Sequence, residues 1–190
     1  VADEVGLGKT IEAGHIMLEM KARNEFRNAL VICPISLQKK WKTELHDKFG
    51  LTFTIVESVK HLLQRLGDHD GSVRAIINYD KIRSKKGSEK NAEERNVLLR
   101  FLEENNKKFS FVLCDEAHKM RNDDTQTYKG AKKLIESADS VVFLTATPIM
   151  INEHNLFNLL HLLDSQRYSN YSIFEQGLRE NAPFIRALSE

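Results

Sequence analysis

Five short apolar runs, separated by segments with helical spacing, constrain this chain more than any other feature. They are Ala29-Leu30-Val31-Ile32-Cys33, Phe53-Thr54-Ile55-Val56, Ala75-Ile76-Ile77, Phe111-Val112-Leu113-Cys114 and Val141-Val142-Phe143-Leu144. Each is rich in β-branched or aromatic residues and stops at polar or Pro-containing sequence. Strands covered on both faces read this way, because neither face has to alternate with water-facing positions. Between the runs, Leu37, Trp41 and Leu45 recur one helical turn apart behind Ser36, a candidate N-cap. Val59, Leu62, Leu63 and Leu66 share one helix face, and Leu156, Leu159, Leu160 and Leu163 repeat that spacing. All three stripes read as core packing. Strands alternating with helices predict an α/β fold, a mostly parallel sheet with helices on both faces.

Composition narrows the function classes. A chain of 190 residues, 41% hydrophobic and 29% charged, has material for one domain with a sizeable core. Its 28 Lys+Arg against 27 Asp+Glu leave a formal charge of +1, which excludes a nucleic-acid binder driven by bulk charge but allows a local basic face. The segment 81–108 carries nine basic and five acidic residues. It reads as an exposed loop over 84–91 and then a helix bearing Val97, Leu98, Phe101 and Leu102, serving as a solvated connector or as a phosphate-contacting surface. Cys33 and Cys114 are far apart and no C-x-x-C pair exists, so neither a disulfide framework nor a zinc site is indicated. No apolar stretch approaches the roughly 18 residues of a membrane span, and no signal-peptide pattern opens the chain. His15, His46, His61, His69, His154 and His161 share no ligand spacing and read as structural or solvent-facing. Trp41 and the ten Phe residues read as core or interface rather than base-stacking platforms.

Three motifs carry chemistry. The first is Asp3-Glu4-Val5-Gly6-Leu7-Gly8-Lys9-Thr10 ahead of a helical segment. Glycines there let backbone N–H groups turn toward phosphate oxygens, and the following helix offers them its positive end. Lys9 adds a charge at the outer phosphates and Thr10 a hydroxyl for Mg²⁺. The general phosphate-loop pattern is not fully met, since Asp3 stands at its first Gly position. The second motif is Asp115-Glu116-Ala117-His118, directly after the fourth apolar run. An Asp beyond a parallel strand can hold Mg²⁺ through water, and an adjacent carboxylate can orient or deprotonate an attacking water. The third is Leu144-Thr145-Ala146-Thr147-Pro148, whose small hydroxyls can bond a neighbouring carboxylate or imidazole. Together the three predict one nucleotide held with Mg²⁺ at the carboxyl ends of the strands.

This set of motifs resembles the first, N-terminal RecA-like lobe of Swi/Snf-like ATPases of helicase superfamily two. The phrase ADEVGLGKTIEAG is most similar to the bacterial, RapA-like branch, in which Asp3 is the usual residue. LVICPISLQKKWKTE resembles motif Ia, INYDKIRSKK the motif Ib region, RNDDTQTYKGAKKL the stretch after motif II, and TPIMINEHNLFNLLHLLD the stretch after motif III. The resemblance implies that 3–10 bind the nucleotide: Asp3, Glu4, Val5, Gly6, Leu7, Gly8, Lys9 and Thr10. It assigns Mg²⁺ to Thr10 and Asp115, water activation to Glu116, and coupling of hydrolysis to movement to His118, Thr145 and Thr147. Residues around Pro34–Trp41 and Asn78–Tyr79 are expected to face the DNA backbone. Met150-Ile151 and Asn78 depart from the family's more usual residues at those places.

The chain opens inside its first motif and without Met, so it is read as a single domain over 1–190 that is a piece of a longer protein. The first strand is expected to be truncated, with Val1-Ala2 its last residues, and the second lobe to lie elsewhere. The resemblance implies a DNA-dependent ATPase that translocates on duplex nucleic acid and remodels protein–DNA or polymerase complexes. Expected partners are double-stranded DNA and a protein such as RNA polymerase or a defence complex, in the bacterial cytoplasm near the nucleoid. The fragment alone is expected to hydrolyse ATP weakly or not at all. Two alternatives stay open: a strand-separating helicase, and a nucleotide-dependent binding module without turnover.

Overall fold

The computed structural model describes residues 8–67, 73–83, 104, 108–145 and 152–187, with the side chains of 59 and 182–187 left aside. In chain order the elements are α1 (Lys9–Ala22), β1 (Ala29–Ile32), α2 (Ile35–Phe49), β2 (Thr54–Ile55), α3 (Val59–Gly67) and β3 (Arg74–Ile77). A 3₁₀ turn (Tyr79–Lys81) follows, then β4 (Phe111–Asp115), a second 3₁₀ turn (Ala117–Met120) and α4 (Gln126–Glu136). The chain closes with β5 (Val141–Leu144), α5 (Glu153–Leu163) and α6 (Tyr171–Ala187). All five apolar runs form strands. The expected loop over 84–91 and the helix with Val97, Leu98, Phe101 and Leu102 lie outside the described residues, as do Val1-Ala2, His69 and Met150-Ile151.

The sheet order is β2-β3-β1-β4-β5, and all four pairings are parallel. From β1 the chain crosses outward to β2, whereas from β4 it crosses the other way to β5. The direction of winding therefore reverses between β1 and β4, and the crevice outside their carboxyl ends is where ligands bind in open sheets of this kind. Register sets what stands at that edge: Ile32 lies level with Ile77 and Cys114, and Asp115 with Leu144.

Side chains alternate between two apolar layers, as the pleat requires. Leu30, Ile32, Ala75, Ile77, Val112, Cys114 and Phe143 join the layer that includes Leu62 and Leu66 of α3, Ala131 and Leu134 of α4, and Leu159 of α5. Ala29, Val31, Ile76, Phe111, Leu113 and Leu144 join the opposite layer with Ala13 and Met17 of α1 and Trp41 and Leu45 of α2. Helices thus cover both faces, as expected. Gly14 permits the close approach of α1 to α2, because a Cβ there would run into the ring of Phe49.

Two local expectations are corrected. Ser36 is not the N-cap of α2, which starts at Ile35 behind Pro34 (φ −54°); proline's fixed φ makes the entry a residue earlier. On α5, Leu163 is 42% exposed, and Leu162 is buried in its place beside Asn158 and Leu159. The buried face is turned because Asn158 donates inward to the carbonyl of Arg121 at 2.9 Å.

Candidate nucleotide and metal site

Asp115 ends β4 at the carboxyl edge and is 7% exposed. Strand alternation sends its side chain to the layer that holds Trp41. The Trp41 indole donates from Nε1 to Asp115 Oδ2 at 2.7 Å. The backbone N–H of Glu116 donates to Oδ1 at 2.9 Å. From the other layer, the Tyr79 hydroxyl donates to the Asp115 carbonyl at 2.7 Å. One residue is thereby fixed from both sides of the sheet. Burial, reinforced by Cys114 and Asp115, pushes the Tyr79 phenol pKa well up, so it remains a proton donor. Burial and the Asp115 charge likewise push the Cys33 thiol up to about 12, and that of Cys114 upward too.

Glu116 starts the turn beyond the strand with φ 55° and ψ 49°, the left-handed region that a residue with a Cβ seldom enters. Such strain clusters at functional sites, where surrounding contacts over-determine it. Its side chain is 26% exposed, and His118 Nδ1 lies 3.2 Å from Glu116 Oε2 without the alignment of a hydrogen bond. Thr145 follows β5 with Oγ1 buried and no hydrogen-bond partner. Ala146, Thr147 and Pro148 lie outside the described residues.

The phosphate-loop residues divide in the same way. Asp3, Glu4, Val5, Gly6 and Leu7 lie outside the described residues. Gly8 is the N-cap of α1 at φ 102°, and its carbonyl accepts from the N–H of Ile11 at 2.7 Å. A side chain at this φ is strained, which is what a glycine before Lys9-Thr10 avoids. Helix α1, which carries Lys9 and Thr10 in its first turn, packs through Ala13 and Met17 on the layer that holds Trp41.

The expected DNA-facing residues separate. Trp41 and Tyr79 are 3% and 6% exposed and turn their polar tips to Asp115, not outward. The apolar stripe of α2 puts Trp41 in the core but does not disclose its role as a donor. The available signal was an indole N–H in an apolar stripe, since a buried indole seeks an acceptor. Ile35, Ser36, Lys39 and Lys40 of α2 are exposed and keep the outward face.

Among the described residues no set of three His, Cys, Asp or Glu could enclose a metal ion. The oxygens that Asp115, Glu116 and Thr10 would offer, two carboxylates and a hydroxyl, are hard. That composition fits Mg²⁺, which takes one or two carboxylates and completes its shell with water and substrate phosphates.

A parallel sheet with an Asp-Glu pair at its switch point, preceded in the chain by a Gly-Lys-Thr helix start, is a RecA-like lobe. The chain belongs to the SNF2-related domain family, whose pattern matches residues 1–186. It is 28% identical over its whole length to the RNA polymerase-associated protein RapA of Photobacterium profundum, of which it spans 19%. It is 31% identical over 98% of its length to YqhH of Bacillus subtilis, an uncharacterized ATP-dependent helicase of which it spans 30%. The SWI2/SNF2 ATPase core of Sulfolobus solfataricus in complex with double-stranded DNA superposes on 92% of the chain with a TM-score of 0.66 and 26% identity, the chain spanning 33% of it. Among the described residues no helix is long and apolar enough to cross a membrane.

Proposed function

We propose that this chain is the ATP-binding and hydrolysing lobe of a DNA-dependent motor that moves along duplex nucleic acid and remodels protein–DNA or polymerase complexes. The observation that carries the reading is the seat of Asp115 and Glu116 outside the β1–β4 crevice. Gly6, Gly8 and Lys9 cradle and neutralise the phosphates, with Asp3, Glu4, Val5 and Leu7 shaping the loop. Thr10 and Asp115 would hold Mg²⁺, Asp115 through water, and the ion when bound would supply neutralising charge for the outer phosphates. Glu116 orients the attacking water and accepts its proton. His118, Thr145 and Thr147 pass the state of that carboxylate to the rest of the motor. Support for duplex DNA and RNA polymerase as partners comes from the names of the Sulfolobus and RapA relatives. Such a protein works in the bacterial cytoplasm, close to the nucleoid.

The test is Glu116→Gln in the full-length protein. Turnover falls by about 10²–10⁴-fold, the usual contribution of a general base, while Mg²⁺-ATP binding persists and duplex DNA stimulates only the unsubstituted protein. DNA-independent turnover counts against the motor. A strand-separating helicase is the second reading, favoured by the helicase name of YqhH; displacement of a strand from a forked duplex distinguishes it.

A further inference from the structure

We infer that Trp41 is a positioning residue for the metal, acting through Asp115. This rests on the reading of Asp115 as the residue that holds Mg²⁺. The indole of Trp41 donates to the Asp115 carboxylate at 2.7 Å, inside the core. Both oxygens of Asp115 are engaged: Oδ1 accepts from the Glu116 backbone and Oδ2 from the indole. The first bond comes from the carboxylate's own turn and moves with it. The second comes from a helix 74 residues away in sequence and fixes the carboxylate against an independent element. With rotation of the carboxylate opposed by both bonds, its remaining lone pairs keep one direction, which is what it needs to orient the water through which it would hold a hard ion.

The surroundings strengthen the constraint. Trp41 is buried in the same apolar cluster as Leu45, Val31, Cys33 and Leu113, which disfavours its swinging out to solvent. Trp41 also lies one turn beyond Gln38 and directly follows the exposed Lys39 and Lys40 on α2. The helix that presents these cations to solvent is thus the helix that sets the carboxylate. Outer-sphere hydrogen bonds of this kind typically alter metal affinity or activity by about 10–100-fold.

The experiment compares Trp41→Phe with Asp115→Asn in the full-length protein. It measures the Mg²⁺ concentration for half-maximal ATP hydrolysis, nucleotide affinity in EDTA, and melting temperature. Trp41→Phe keeps an aromatic ring in the core and removes the N–H together with part of the indole, so the melting temperature reads the packing loss separately. The expected result is a half-maximal Mg²⁺ concentration raised about tenfold, equal to about 1.4 kcal/mol, with affinity in EDTA within about twofold of the parent. A lowered rate or melting temperature with unchanged Mg²⁺ dependence would make Trp41 packing alone and overturn the inference. Asp115→Asn separates the two levels: wild-type Mg²⁺ dependence in that variant removes the reading of Asp115 itself. Should Trp41→Phe not fold, the ¹⁵N-indole resonance of Trp41 in the unsubstituted protein, assigned by its response to Asp115→Asn, decides. A shift on adding Mg²⁺-ADP but not ADP with EDTA supports the inference, and an unmoved resonance overturns it.

Discussion

Asp115 and Glu116 are adjacent carboxylates, yet the fold treats them oppositely. Asp115 is buried, in extended backbone, with its carboxylate and its carbonyl each bonded by a different layer of the protein. Glu116 has left the sheet, takes a left-handed backbone, and shows a quarter of its side chain to solvent. Its neighbour His118 is close without being a committed hydrogen-bond partner. The contrast matches the two tasks proposed. A metal-holding carboxylate gains from being unable to rotate, since each lost rotamer is entropy not paid again at binding. A base that must take a proton and let it go gains from contact with water and from a partner at variable distance.

The sharpest way to break that division of labour is at Asp115. Asp115→Ala should lower turnover by at least about 10³-fold and weaken Mg²⁺-nucleotide binding, whereas Glu116→Gln spares binding. Equal binding by both variants, measured by calorimetry with and without EDTA, would erase the distinction. The next effect in size is at His118. His118→Ala frees Glu116 of its near neighbour and should reduce turnover about tenfold, with Mg²⁺ dependence unchanged; a shifted Mg²⁺ dependence would tie His118 to the metal instead.

Stability tests the clamp from the other layer. Tyr79→Phe leaves the buried carbonyl of Asp115 without its donor and should cost about 1–3 kcal/mol. For a domain of this size that is a melting temperature lowered by roughly 2–12 °C, read by differential scanning calorimetry. An unchanged melting temperature would show that the layers do not share the load. The smallest effect concerns Cys33. Its thiol is neutral in the fold up to about pH 12, against an ordinary value of 9.0. The unfolded chain therefore loses that proton first as pH rises, so the thiol's contribution is intact below pH 9 and is lost between 9 and about 12. Cys33→Ala should flatten that part of the pH–stability curve, and intact protein at pH 8 should resist iodoacetamide at both cysteines.

Much of the architecture was legible because it depends on short-range pattern. Strands covered on both faces need unbroken apolar runs, and all five runs became strands. The helices α4 and α6 were not read from periodicity, although Thr125 caps α4 by accepting from the Tyr128 N–H at 3.2 Å. That signal is local and was present in the sequence. The motifs were legible for a similar reason: phosphate loops and acidic strand ends are contiguous, and their chemistry sits in adjacent residues.

What the sequence determined by itself was the fold class, the family resemblance and the identity of the acidic pair at the end of the fourth apolar run. What only the tertiary structure decided was the inward turn of Trp41 and Tyr79. Trp41 meets Asp115 across 74 positions and Tyr79 across 36. A periodic stripe tells which side of a helix is buried, but an apolar ring is equally at home against any apolar wall. Where its one polar atom finds an acceptor depends on strand order, and the order β3-β1-β4 is what brings both donors to one carboxyl edge.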